Sequence, residues 1–161
     1  MMSKVVIIYD SKTGNTELMA KAIAQGLCDV EGVDAEVHKL GTKFPISILE
    51  NADAIIVGSP TIYGNITDEL AFFFVNLGYL KSAKHIDTEG IKGAAFASYG
   101  WDGGWVTERI EMELKALGVK LVAPSVSAVD QGGVMGMKIH TDDLERCRQL
   151  GKAVGKAVAR G

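Results

Sequence analysis

Three short stretches of this chain carry groups that could hold a ligand. The first, Ser11-Lys12-Thr13-Gly14-Asn15-Thr16, sets hydroxyls and an amide around a glycine, just ahead of the helically spaced Met19, Ile23 and Leu27. A helix mouth offers free backbone N–H groups and a favourable dipole to an anion. Ser11, Thr13, Asn15 and Thr16 add neutral donors, and Gly14 lets the backbone curl closely. The chemistry suits a terminal phosphate monoester. Lys12 could reach the anion or stand in solvent. The second stretch is Pro60-Thr61-Ile62-Tyr63-Gly64-Asn65, and the third is Ser98-Tyr99-Gly100-Trp101-Asp102-Gly103-Gly104. Tyr63, Tyr99 and Trp101 offer ring faces to a flat aromatic ligand. Gly64, Gly100, Gly103 and Gly104 leave backbone groups able to approach ring edges. Asp102 reads as a turn residue before Gly103.

Each stretch follows a short apolar run. Val5 to Tyr9, Ala54 to Val57 and Gly93 to Ser98 read as strands buried on both faces. Asp34 to Leu40 alternates and predicts a half-exposed edge strand. Lys120 to Val129 predicts a last strand, with Pro124 marking an edge or a bulge. Helical spacing recurs at Met19 to Val30, Leu70 to Leu80 (capped by Thr67 or Asp68), Val106 to Leu117 and Leu144 to Val158. Gly32 and Gly118 fit helix stops, and Ile48 to Asn51 predicts a short helix. Strand and helix alternate throughout, which means a parallel sheet with helices on both faces. In such sheets ligands bind beyond the carboxyl ends of the strands, where these three stretches fall.

Other chemistries fit poorly. The Gly-Lys pairs at 151–152 and 155–156 are each followed by alanine, so no Walker A loop is present. No two glycines stand two positions apart, which removes the dinucleotide fingerprint. A net charge of −3 without a Lys/Arg-rich run argues against nucleic acid. His38, His85 and His140 are scattered and read as surface or edge residues rather than metal ligands. Cys28 and Cys147 form no C-x-x-C pair and read as reduced thiols buried on helices. The 161 residues, 47% of them apolar, suit one domain, 1–161, with its own core. No signal h-region or bilayer-length apolar stretch is visible, so the expectation is a cytoplasmic protein without a membrane partner.

Ser11-Lys12-Thr13-Gly14-Asn15-Thr16 resembles the flavodoxin phosphate loop, [ST]-x-T-G-x-T. Ala54 to Thr61 and Ala97 to Trp101 resemble the second and third loops of that family. Ser98-Tyr99-Gly100-Trp101 with Gly103-Gly104 is most similar to the flavodoxin-like domain of A-type flavoproteins, the flavodiiron proteins, here expected without their metal-binding domain. The resemblance implies a flavodoxin-like doubly wound five-stranded parallel sheet of order 2-1-3-4-5. It implies FMN as cofactor, with the phosphate held at 11–16 and the ring between 60–65 and 98–104. The implied role is shuttling electrons between redox partner proteins, as a monomer or weak homodimer. The alternative is a flavodoxin-like NAD(P)H:quinone oxidoreductase; a flavin-free phosphate-binding or signalling module is a third reading. Enzymes of that kind usually have longer loops, so the short connections here favour the carrier, and no acid–base pair of the kind a dedicated substrate enzyme needs is found.

Overall fold

A computed structural model describes residues 2–100, 103–130 and 139–159. In chain order the elements are β1 (Ser3–Tyr9), α1 (Asn15–Cys28), β2 (Val33–Lys39), a 3-10 turn at Ile46–Leu49, β3 (Ala54–Pro60), α2 (Asp68–Ser82), β4 (Lys92–Tyr99), α3 (Val106–Ala116), β5 (Lys120–Leu121), β6 (Val126–Val129) and α4 (Thr141–Val158). The strands pair in parallel in the order β2-β1-β3-β4-β5, and β6 continues the same edge of β4. This is the expected 2-1-3-4-5 sheet, its last strand in two pieces.

Period-two alternation in the central strands feeds two cores at once. Val5 and Ile7 point to the layer closed by α1 and α4, with Ile23, Leu27, Cys147 and Val154. Val6 and Ile8 point to the layer closed by α2 and α3, with Leu70, Leu77, Ile110 and Leu114. Both faces of β1 and β3 are therefore dry, as their unbroken apolar runs require. β2 keeps Val33 buried while Val37 is exposed, as an edge strand should.

Gly93 pairs with Leu121 and Phe96 with Val126, so residues 122–125 face only Ala94 and Ala95. Pro124 lies within this bulge, where its missing N–H breaks no ladder bond. The short helix expected at Ile48–Asn51 forms two residues earlier, because Pro45 sits at its start with an extended backbone. α1 ends at Cys28, so Val30 follows the helix and Gly32, at φ 80°, belongs to the turn into β2. The thiols part company: Cys147 is buried as expected, whereas Cys28 is exposed. Cys28 lies about 100° around the helix from Leu27 and turns away from the core stripe.

Candidate functional site

The first loop is built between a pinned strand and a pinned helix. The Tyr9 hydroxyl at the end of β1 donates to Glu17 Oε1 in the first turn of α1, at 2.9 Å. Burial, and then that hydrogen bond, push the Tyr9 phenol up to about 12, so it stays a donor. Asp10 Oδ1 accepts from the Ser11 N–H at 2.8 Å, and Ser11 Oγ accepts from the Gly14 N–H at 3.1 Å. Gly14 stands at φ 98°, a left-handed conformation, and opens α1 with no side-chain cap. The N–H groups of Asn15, Thr16 and Glu17 therefore have no intrahelical acceptor. Asn15 is buried, and its Oδ1 lacks a hydrogen-bond partner among the described residues.

Lys12 does not turn into this cradle. Its Nζ lies 2.9 Å from Glu69 Oε1 at the start of α2 and 3.6 Å from Asp10 Oδ2. The pairing holds the Glu69 carboxyl below its usual range, chiefly through the hydrogen bond from Lys12, and raises the Lys12 ammonium for the same reason.

The second loop is a two-residue hairpin. Ile62 and Asn65 exchange backbone bonds of 2.8 and 3.0 Å around Tyr63 at φ 47° and Gly64 at φ 75°. Both central residues are left-handed, the signature of a type I′ turn. A bulky residue at positive φ is uncommon, and Tyr63 keeps it here while 97% exposed. The turn is gripped from α3. Trp105 Nε1 donates to the Gly64 carbonyl at 2.9 Å, and Arg109 donates to Asn65 Oδ1 at 3.1 Å. Asn65 Oδ1 also accepts from the Ile66 N–H, so that side chain serves the turn.

The third loop is laced to the other two. Thr16 Oγ1 and Ser98 Oγ lie 2.9 Å apart, joining loops one and three. The Thr61 N–H and Oγ1 both donate to the Ser98 carbonyl, at 2.9 and 3.0 Å, joining loops two and three. A Cβ on Gly103 would strike Tyr99 and crowd Thr61 Oγ1, so the return of the loop over Tyr99 needs glycine. Gly104, at φ 101°, completes that return. Trp101 and Asp102 lie outside the described residues.

A cleft of about 190 Å³ results, lined by Lys12, Thr13, Asn15, Pro60, Thr61, Ile62, Ser98, Tyr99, Gly100 and Asp130. It sits beyond the carboxyl ends of β1, β3 and β4, between the chain's first reversal of strand order and its neighbour. The family model described as Flavodoxin matches residues 7–151, which takes in all three loops. The chain belongs to the flavodoxin family. Among relatives of this flavodoxin, a nitric oxide reductase of Moorella thermoacetica is 31% identical over 163 residues, covering 98% of this chain and 37% of that protein. A flavodoxin of Aquifex aeolicus is 30% identical over 168 residues, covering 98% of this chain and 88% of that one. The crystal structure of oxidised flavodoxin 1 from Bacillus cereus superposes with a TM-score of 0.80 at 28% identity, over 98% of this chain and 100% of that one. The chain thus spans a little over a third of the Moorella protein, 37%. It is a flavodoxin-like, FMN-binding protein.

The residues present fit FMN. A free helix mouth and a glycine already left-handed suit a phosphate. Lys12 lines the cleft with its ammonium paired to Glu69. Four residues of this flavodoxin escaped the sequence reading. Asp10 braces the first loop, Asp130 lines the cleft, and Trp105 and Arg109 hold the second loop from another element. Asp130 closes the last strand, so a search of every strand's carboxyl end would have found it. Trp105 and Arg109 had no such signal, since their partners lie more than forty positions away in sequence. Among the described residues no helix is long and apolar enough to cross a membrane, and no group of three or more His, Cys, Asp or Glu could hold a metal ion.

Proposed function

We propose that the chain is a single FMN-binding domain, 1–161, that shuttles electrons between redox partner proteins in the cytoplasm, as a monomer or weak homodimer. Ser11, Thr13, Gly14, Asn15 and Thr16 hold the phosphate. Pro60, Thr61, Ile62, Tyr63, Gly64 and Asn65 line one side of the ring. Ser98, Tyr99, Gly100, Trp101, Gly103 and Gly104 line the other. The observation that carries this reading is the uncapped mouth of α1 opening into the same cleft as the other two loops.

FMN, when bound, supplies one- and two-electron chemistry. The chain's own residues bind, orient and tune. The amides at the start of α1 meet the phosphate charge without a cation. The bonds among Thr16, Ser98 and Thr61 keep the three loops at fixed separation. Trp105 fixes which way the Gly64 carbonyl points, and so which backbone group faces the ring edge. Asp130 at the cleft, in a chain of net charge −3, makes added negative charge costly there.

Purified protein should be yellow, hold one FMN per chain and reduce in steps under anaerobic titration. Material that stays colourless when offered FMN would remove the site. Rapid turnover of NADPH with a quinone would replace the carrier by an oxidoreductase.

A further inference from the structure

α2 differs from the other helices on its outer side. Leu70, Phe73, Phe74 and Leu77 fill the core from one face. The opposite face carries Phe72, Val75 and Tyr79, which are 68%, 51% and 72% exposed. Their spacing of three and four stacks them in one stripe. By contrast α4 presents Asp142, Glu145, Arg146 and Lys156 to solvent. A helix apolar on both faces is the mark of a helix covered on both.

Two further observations say what covers it. Beside the stripe lies an apolar hollow of about 440 Å³, lined by Leu40, Phe44 and Ile46 and by Asn76, Tyr79 and Leu80 of α2. The stripe also has opposite charges at its ends: exposed Asp68 opens it, and exposed Lys84 stands just past its close. Neither is ion-paired to a described residue.

We propose that this stripe is the contact face of the homodimer, with two copies packing α2 against α2 antiparallel about a two-fold axis near Val75 and Asn76. The proposal rests on the homodimer branch of the function above and gives it a surface. In that register the partner's Phe72 meets Tyr79 and enters the hollow beside it, and Asp68 faces the partner's Lys84. A two-fold axis makes both contacts twice. Parallel packing would instead set Asp68 against Asp68 and Lys84 against Lys84. The opposite charges at the two ends of the face meet each other under a two-fold axis, which favours a second copy over a foreign protein. A single helix face falls short of the ~1,200–2,000 Å² of stable complexes, so the dimer is weak and concentration-dependent.

Sedimentation equilibrium of the FMN-loaded chain tests this. The mass should rise from 17.2 kDa towards twice that as concentration increases. Val75→Glu, at the two-fold axis, should weaken association by at least ~tenfold, or about 1.4 kcal/mol. Asp68→Lys and Lys84→Asp should each weaken it a few-fold, and the double exchange should restore it. Bound FMN and thermal melting, measured in parallel, should be unchanged. Loss of FMN would instead count against the site, which keeps the two failures apart. A chain monomeric at every concentration, a dimer indifferent to Val75→Glu, or a double exchange that fails to restore association would each overturn the proposal.

Discussion

The turn at 11–16 and the turn at 62–65 lie beside one cleft but are held in opposite ways. The first is self-supporting: Asp10 and Ser11 accept its own amides, and Gly14 supplies the left-handed step. Its neighbours along the chain set its shape. The second has a strained tyrosine at its tip and takes its outside support from Trp105 and Arg109 on α3. A grip on a constant phosphate can be rigid and local. In the proposed site, a wall held from a distance would let α3 change the potential without disturbing the anchor.

Substitutions can break this contrast. The largest effect is expected at Gly14→Val, because a β-branched residue at φ 98° carries roughly 1–3 kcal/mol of strain. That predicts about a tenfold to hundredfold loss of FMN affinity in a flavin fluorescence titration. Riboflavin, which has no phosphate, should lose much less. Equal losses for both ligands would mean that the turn supports the whole site.

Gly64→Ala should cost about 1–2 kcal/mol in the turn at φ 75°. The gap between the two one-electron potentials should change while the phosphate grip holds. An unchanged gap would take Gly64 out of the tuning role. Trp105→Phe keeps the ring but removes the donor to the Gly64 carbonyl, a bond worth about 0.5–1.5 kcal/mol. It should move the same gap in a smaller step, with FMN affinity within about threefold of the parent. A larger fall in affinity than in Gly64→Ala would show that α3 supports binding rather than tuning.

Lys12→Gln should have the smallest effect, below about 1 kcal/mol, because the pair with Glu69 is exposed and screened. Glu69 is held below its usual range, so its contribution is present above the ordinary carboxylate pKa and is lost as pH falls through the lowered one. Lys12 is raised, so its share is lost only as pH rises through the raised value. The difference in melting temperature between Lys12→Gln and the parent should be present at neutral pH and vanish in acid. A large loss of FMN affinity in this variant would instead place Lys12 on the phosphate.

The strand runs, the Thr67 cap and the Pro124 bulge were legible because each is a short-range matter of side-chain period, donor and ring constraint. The exposed Cys28 was misread because a helix stripe has an angular edge that residue type alone does not draw. Gly151, noted only for failing a nucleotide motif, proves to be a packing residue. A Cβ there would strike the Ile23 carbonyl, as one on Gly26 would strike Arg148, so α1 and α4 meet backbone to backbone.

Local physics in the chain alone therefore settles the alternation of elements, the glycine-bent phosphate turn and the family. Those features depend on neighbours a few bonds apart. The lacing of Thr16, Ser98 and Thr61, the capture of Lys12 by Glu69 and the hold of Trp105 on Gly64 had to await folding. Each joins residues from different strand ends, and only the parallel stacking of those strands brings them within a hydrogen bond's reach.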